Sequence, residues 1–94
     1  MSASDRRSTP TYCFSVFAAP EASVMPRVLE LFAKRGLVPT RFHGASGGPD
    51  LSIDIQVSGI AEDTAEHIAA CLRNIVHVER VLTAVKSRAA EAAL

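Results

Sequence analysis

Between Gly36 and Gly59 the chain spells out a β-hairpin, and on each side of it an amphipathic helix connects to a further strand. The order strand, helix, strand, strand, helix, strand restricts a short chain to a few architectures. The spacing predicts a first strand over Tyr12–Ala18 and a first helix over Val24–Lys34. The hairpin strands fall at Val38–Gly44 and Leu51–Val57. A second helix then runs from about Ala61 to Arg73, and a last strand occupies Val78–Val85.

The clearest of these segments is Leu51-Ser52-Ile53-Asp54-Ile55-Gln56-Val57, whose strict apolar/polar alternation marks a half-buried strand. In the first strand Tyr12, Phe14, Val16 and Ala18 share one face, which leaves Phe17 on the face no helix covers. Val24, Val28, Leu31 and Phe32 recur as one buried stripe of the first helix. Ser23 stands at its N-cap and Pro26 in its first turn, where a missing N–H does no harm. Lys34 and Arg35 close the helix and Gly36 stops it. The second helix turns Ala61, Ala65, Ile68 and Leu72 inward, with Glu62 and Asp63 near its positive end. Ser46-Gly47-Gly48-Pro49-Asp50 is turn chemistry joining the middle strands.

Packed together, two strand–helix–strand units give an α+β, ferredoxin-like sandwich: a four-stranded antiparallel sheet in the order 4-1-3-2 with both helices on one face. The expected domain covers residues 11–86, between a disordered N-terminal tail (1–10) and an Ala-rich C-terminal tail (87–94). The second strand lies on an edge, where unpaired backbone groups invite a second copy. On its outward side Arg41 and His43 should stand near Asp54.

At 94 residues the chain has room for one domain, burying roughly 60–70% of its unfolded surface. Ten basic and ten acidic side chains cancel, so no net field draws nucleic acid or anionic lipid. A neutral domain that is 48% hydrophobic is expected to complete its burial by oligomerising. No apolar run approaches the roughly 20 residues of a membrane span, and the polar start does not read as a signal peptide. The expected location is cytoplasmic, with Cys13 and Cys71 as buried free thiols in a reducing compartment.

No catalytic constellation is present. His43, His67 and His77 have no carboxylate or thiol partner at metal-ligand spacing, and read as surface residues. Cys13 and His43 could meet across the outer sheet face, but two ligands on separate strands make a weak metal signal. Asp54 and Glu66 are isolated carboxylates. An RNA-recognition module of this shape needs outward aromatics on its central strands and a basic surface. The third strand has no such aromatics. A metal carrier would place CxxC where Ala19-Pro20-Glu21-Ala22 stands, and an acylphosphatase would need an arginine in that same loop. The expectation is a protein that is no enzyme and holds neither metal nor cofactor.

From Tyr12 to Val85 the chain resembles an ACT domain, the small-molecule-sensing module of amino-acid metabolism. The residues that carry the resemblance are Arg27-Val28-Leu29-Glu30-Leu31-Phe32-Ala33-Lys34-Arg35-Gly36-Leu37, then Val38-Pro39, then the alternating third strand. Leu72-Arg73-Asn74-Ile75-Val76-His77-Val78-Glu79-Arg80-Val81 resembles the family's run from second helix into last strand. Among ACT proteins it looks most like the short, single-domain small subunits of acetohydroxyacid synthase (acetolactate synthase). The resemblance implies a regulatory subunit of branched-chain amino-acid biosynthesis. Such a subunit dimerises and binds a thiamine-diphosphate-dependent catalytic partner.

The departures from the family pattern fall at the ligand loop. Ligand-binding ACT domains usually read Asn-x-Pro-Gly-Val-Leu there, whereas this chain has Pro20, Ala22, Ser23, Val24 and Met25 at the Asn, Pro, Gly, Val and Leu positions. The family's Gly-x-Asn before the second strand is Gly36-Leu37-Val38. Two amides that would hold an amino acid's polar ends have thus become Pro20 and Val38. Each charge-assisted bond lost in this way costs roughly 1.5–3 kcal/mol. The loop is therefore either an ordinary helix start or a remodelled pocket in which Ser23 and the first-turn N–H groups still hold an anion. The candidate ligand residues are Ser23, Val24, Met25 and Val38. Candidate contacts with a second copy or a catalytic partner are Phe17, Val38, Thr40, Phe42 and Leu82. Two further possibilities are a free-standing sensor of an amino acid or other metabolite between two copies, and a ligand-free dimerisation scaffold.

Overall fold

A computed structural model describes residues 10–87. Its elements are β1 (Pro10–Ala18), α1 (Val24–Lys34), β2 (Arg41–Ser46), β3 (Leu51–Ser58), α2 (Glu62–Arg73) and β4 (Val78–Ser87). The four strands form one antiparallel sheet in the order β2-β3-β1-β4, the expected one read from the other edge. The two tails expected at the termini lie almost wholly outside the described residues.

The alternation in β3 becomes burial directly: Leu51, Ile53, Ile55 and Val57 are buried, while Asp54 is exposed. Across from them on β1, Phe14, Val16 and Ala18 complete the inner face. From the helices come Val24, Val28 and Phe32 of α1 and Ala65, Ile68, Ala69 and Leu72 of α2. Burying a Val, Leu, Ile or Phe side chain of this kind stabilises by about 1.5–3 kcal/mol, so the helix layer is held mainly by these stripes. At the centre the Phe14 and Phe32 rings meet edge-on, with centroids 6.0 Å apart at 62°.

Gly36 ends α1 as expected. Its φ of 69° lies in the left-handed region. Its N–H reaches the Ala33 carbonyl at 3.0 Å while the Leu37 N–H reaches Phe32 at 3.0 Å, which is the Schellman arrangement. Leu37 then packs against the core.

Several details differ from expectation. β2 begins at Arg41 and not at Val38, because Pro39 has no N–H to give the ladder and Val38 stands 85% exposed. Thr40 still donates its N–H to the Gln56 carbonyl at 2.8 Å. Ala61 is the exposed N-cap of α2 and not part of its buried stripe. β4 continues through Lys86 to Ser87, past its expected end at Val85. Leu31 is only partly buried, at the margin of the α1 stripe.

Candidate functional site

The loop from β1 to α1 is tied at both ends by its own backbone. Ala19 donates its N–H to the His77 carbonyl at 3.0 Å, joining this loop to the one between α2 and β4. The Glu21 N–H turns back to Ala19 at 2.7 Å, and the Val24 N–H reaches the Glu21 carbonyl at 3.1 Å. Ser23 occupies the N-cap position, but its backbone is already helical (φ −80°, ψ −10°) and its hydroxyl makes no capping bond. An N-cap side chain reaches back to the first-turn amides from an extended backbone, so the expected cap is present in position and absent in geometry.

These bonds determine what the start of α1 offers a ligand. The N–H groups of a helix's first turn make a ready anion site. Here the Val24 N–H is committed to Glu21 and Pro26 has none, which leaves Met25 alone among the first three helical residues. Met25 packs inward on the core margin and over Gly44 of β2. Beside it an open groove of about 330 Å³ is lined by Pro20, Glu21, Ala22, Met25, Ser46 and Leu51. Glu21 brings a carboxylate to this groove.

Of the candidate ligand residues, Ser23, Val24 and Met25 come together at this helix start, with Val24 fully buried in the core. Val38 does not join them. It follows the far end of α1, an 11-residue helix, and so lies about 16 Å along the axis from Ser23.

The candidate contact residues also separate. Phe42 stands opposite Ile55, on the helix side of the sheet, and its ring packs at the core margin. The ring is half-buried there. Thr40 is exposed at the entry to β2, its hydroxyl donating to the Gln56 carbonyl at 3.1 Å. Phe17 does face the outer side, opposite Arg80 in the register, and the Arg80 guanidinium lies 4.4 Å from its ring centroid. Leu82, opposite Ser15 on the same face, is 51% exposed.

On the outer face Ser15 and Asp54 pair across the sheet. Asp54 stands opposite His43 as expected, and accepts a hydrogen bond from the Ser15 hydroxyl at 3.2 Å. Cys13 and His43 are kept apart: Cys13 is opposite Gln56, and β3 lies between the two strands. Among the described residues no three His, Cys, Asp or Glu side chains gather to hold a metal. No helix among them is long and apolar enough to cross a membrane. Both cysteines are free and half-buried, more accessible than the buried thiols expected.

Two features escaped the sequence reading. A groove of about 390 Å³ runs between α2 and β4, with Tyr12, Ala65, Ala69 and Val85 on its walls and Glu66 and Arg73 at its rim. The other is a contact of Arg35 and His67 with the Cys71 sulfur. His67 and Cys71 stand at i, i+4, so the expectation that no histidine has a thiol partner at ligand spacing fails for His67, while the contribution of Arg35 from another helix could not be read from the sequence.

The sheet order and the helices on one face define a small α+β module. The chain belongs to the ACT-like domain family, whose model matches residues 5–90. No curated protein matches it in sequence. Among solved structures it is similar to the ACT domain of GTP pyrophosphokinase from Chlorobium tepidum, at 8% identity over 81% of this chain and 99% of that one, with a TM-score of 0.72. An ACT domain protein from Streptococcus pneumoniae matches at 12% identity over 90% and 97% of the two chains, TM-score 0.62. Aspartate kinase from Clostridium acetobutylicum, described as an allosteric enzyme, matches at 11% identity over 82% of this chain but 18% of its own, TM-score 0.63. At these identities the likeness is one of fold. ACT domains are regulatory modules.

Proposed function

We propose that this protein is a non-catalytic regulatory subunit that works through protein contacts, with its amino-acid site curtailed. The observation that carries the reading is the donor set at the start of α1. With the Val24 N–H taken and Pro26 lacking one, a single first-turn amide remains where a carboxylate would need several. The exposed Glu21 carboxylate beside it opposes an anion further. In this reading two copies pair through the β2 edge. The dimer then binds the catalytic subunit of a thiamine-diphosphate-dependent acetolactate synthase, which holds the cofactors. What supports that partner is the resemblance to the short, single-domain small subunits of acetohydroxyacid synthase.

The test is a thermal-denaturation screen against the twenty amino acids at millimolar concentration, followed by co-purification with the catalytic subunit. A ligand at 100 times its dissociation constant adds about 2.7 kcal/mol, a plain shift for a domain this small. The expected result is no shift, together with retention of the catalytic subunit. Failure of that subunit to co-purify overturns the partner, and a clear shift with one amino acid overturns the curtailed site.

The second outcome would favour a free-standing sensor. The groove of about 330 Å³ beside Met25 supports it, since Glu21 there suits a ligand's ammonium group.

A further inference from the structure

On the seam between α1 and α2, far from the loop, two side chains converge on one sulfur. His67 and Cys71 stand one turn apart on α2, with Nε2 3.6 Å from Sγ. Arg35 reaches across from the end of α1, donating Nη2 to Cys71 Sγ at 3.4 Å. Its Nη1 donates to the Leu31 carbonyl at 3.2 Å, so the guanidinium is braced on its own helix while it faces the sulfur of the other. Cysteine reacts through its sulfur as a nucleophile, and access and neighbouring charge decide which reagents reach it.

The surroundings point to a particular class of reagent. A groove of about 330 Å³ opens beside the thiol, lined by Arg27, Glu30, Lys34, Arg35 and Cys71 among others. Its one acidic side chain, Glu30, is engaged by Lys34 at 3.8 Å, so the basic residues outnumber it. A small molecule that carries carboxylates next to a reactive sulfur would find cations on the groove wall. Cys13 offers none of this: it lies on the outer sheet face, between Gln56 and Ala84 in the register.

We propose that Cys71 is a nucleophilic thiol that forms mixed disulfides with small, carboxylate-bearing disulfides. Arg35 and His67 hold the sulfur, and Arg27 and Lys34 draw in the reagent. In the exchange, Cys71 Sγ attacks one sulfur of the disulfide. A new S–S bond forms as the old one breaks, and the departing thiolate leaves with the electron pair. The proton lost by Cys71 balances the one that the departing thiolate takes up, and no further oxidant is required. The product places a carboxylate on the α1–α2 seam, where it would compete for Arg35.

The test uses the full chain and two reagents of similar size, dithiodiglycolate (two carboxylates) and bis(2-hydroxyethyl) disulfide (neutral). Modification of each cysteine is timed by peptide mass spectrometry. Dividing the Cys71 rate by the Cys13 rate removes each reagent's intrinsic reactivity. At low salt this ratio should be about tenfold larger for dithiodiglycolate than for the neutral reagent. The difference should vanish at roughly 1 M salt, where screening reaches about 3 Å. Arg35→Gln, at an exposed position, should lower the dithiodiglycolate ratio at least about threefold with the circular dichroism unchanged. Equal ratios for the two reagents at low salt would overturn the proposal, as would Cys13 reacting with dithiodiglycolate as fast as Cys71.

Discussion

Met25 lies across Gly44: a Cβ at Gly44 would come within 2.7 Å of Met25 Cε and 3.2 Å of its Sδ. This contact closes the space between the start of α1 and the middle of β2. Gly44→Val therefore forces the thioether aside. Because these atoms are the far end of a flexible side chain, the cost should stay below about 1 kcal/mol, which urea denaturation should show as a slightly lower midpoint at constant m. In the double variant with Met25→Ala the clash is gone, and most of the loss should return. Additive losses would mean that Met25 does not seat there.

Ser23 supplies a second check on the same loop. A serine that truly caps a helix loses about 1 kcal/mol on replacement by alanine. Here the hydroxyl makes no capping bond and the backbone is helical at Ser23. Ser23→Ala should therefore change stability by less than about 0.5 kcal/mol. A full capping loss would show that in solution the serine swings into the extended cap geometry, restoring a polar group at the helix start.

The sheet was legible because its signals are local. The alternation of Leu51–Val57 and the Val24, Val28, Phe32 stripe each fix which side chains point inward, and Gly36 marks a stop that the backbone obeys. The candidate site was legible only in part, since it depends on which amide each carbonyl accepts. Nothing in the sequence states that the Glu21 carbonyl takes the Val24 N–H. The direction of Phe42 was hidden for a related reason. Its identity suggests an exposed edge contact, but its pairing with Ile55 turns it toward the helices. Likewise Arg35 and Cys71 are 36 positions apart, and only tertiary packing brings them together.

His77 has φ of 77°, the left-handed region that a side chain disfavours, and its carbonyl accepts the Ala19 N–H at 3.0 Å. Such strain is worth roughly 1 kcal/mol, partly offset by the extra freedom glycine gives the unfolded chain. His77→Gly should be neutral or slightly stabilising, whereas the β-branched His77→Val should lose about 1–2 kcal/mol. Melting temperatures of the pair decide the matter: if Val melts no lower than Gly, the turn is not held in this conformation.

Phe17 tests the outer face as a contact surface. The ring is half-buried beneath the Arg80 guanidinium, and Leu82 extends the apolar area toward Ser15. Truncating Arg80 to alanine removes an exposed cation–π contact of about 0.5–1 kcal/mol and leaves the ring free. Phe17→Asp goes further, replacing an apolar ring with a carboxylate that Arg80 can pair, so the monomer should stay folded by circular dichroism. If this face meets a catalytic partner, burying that carboxylate at the centre of the contact should cost at least about 2 kcal/mol, more than tenfold in affinity. Arg80→Ala should change affinity far less. A dissociation constant unchanged by Phe17→Asp would move the contact off the outer face and leave the β2 edge and the exposed face of α1 as the surfaces to probe.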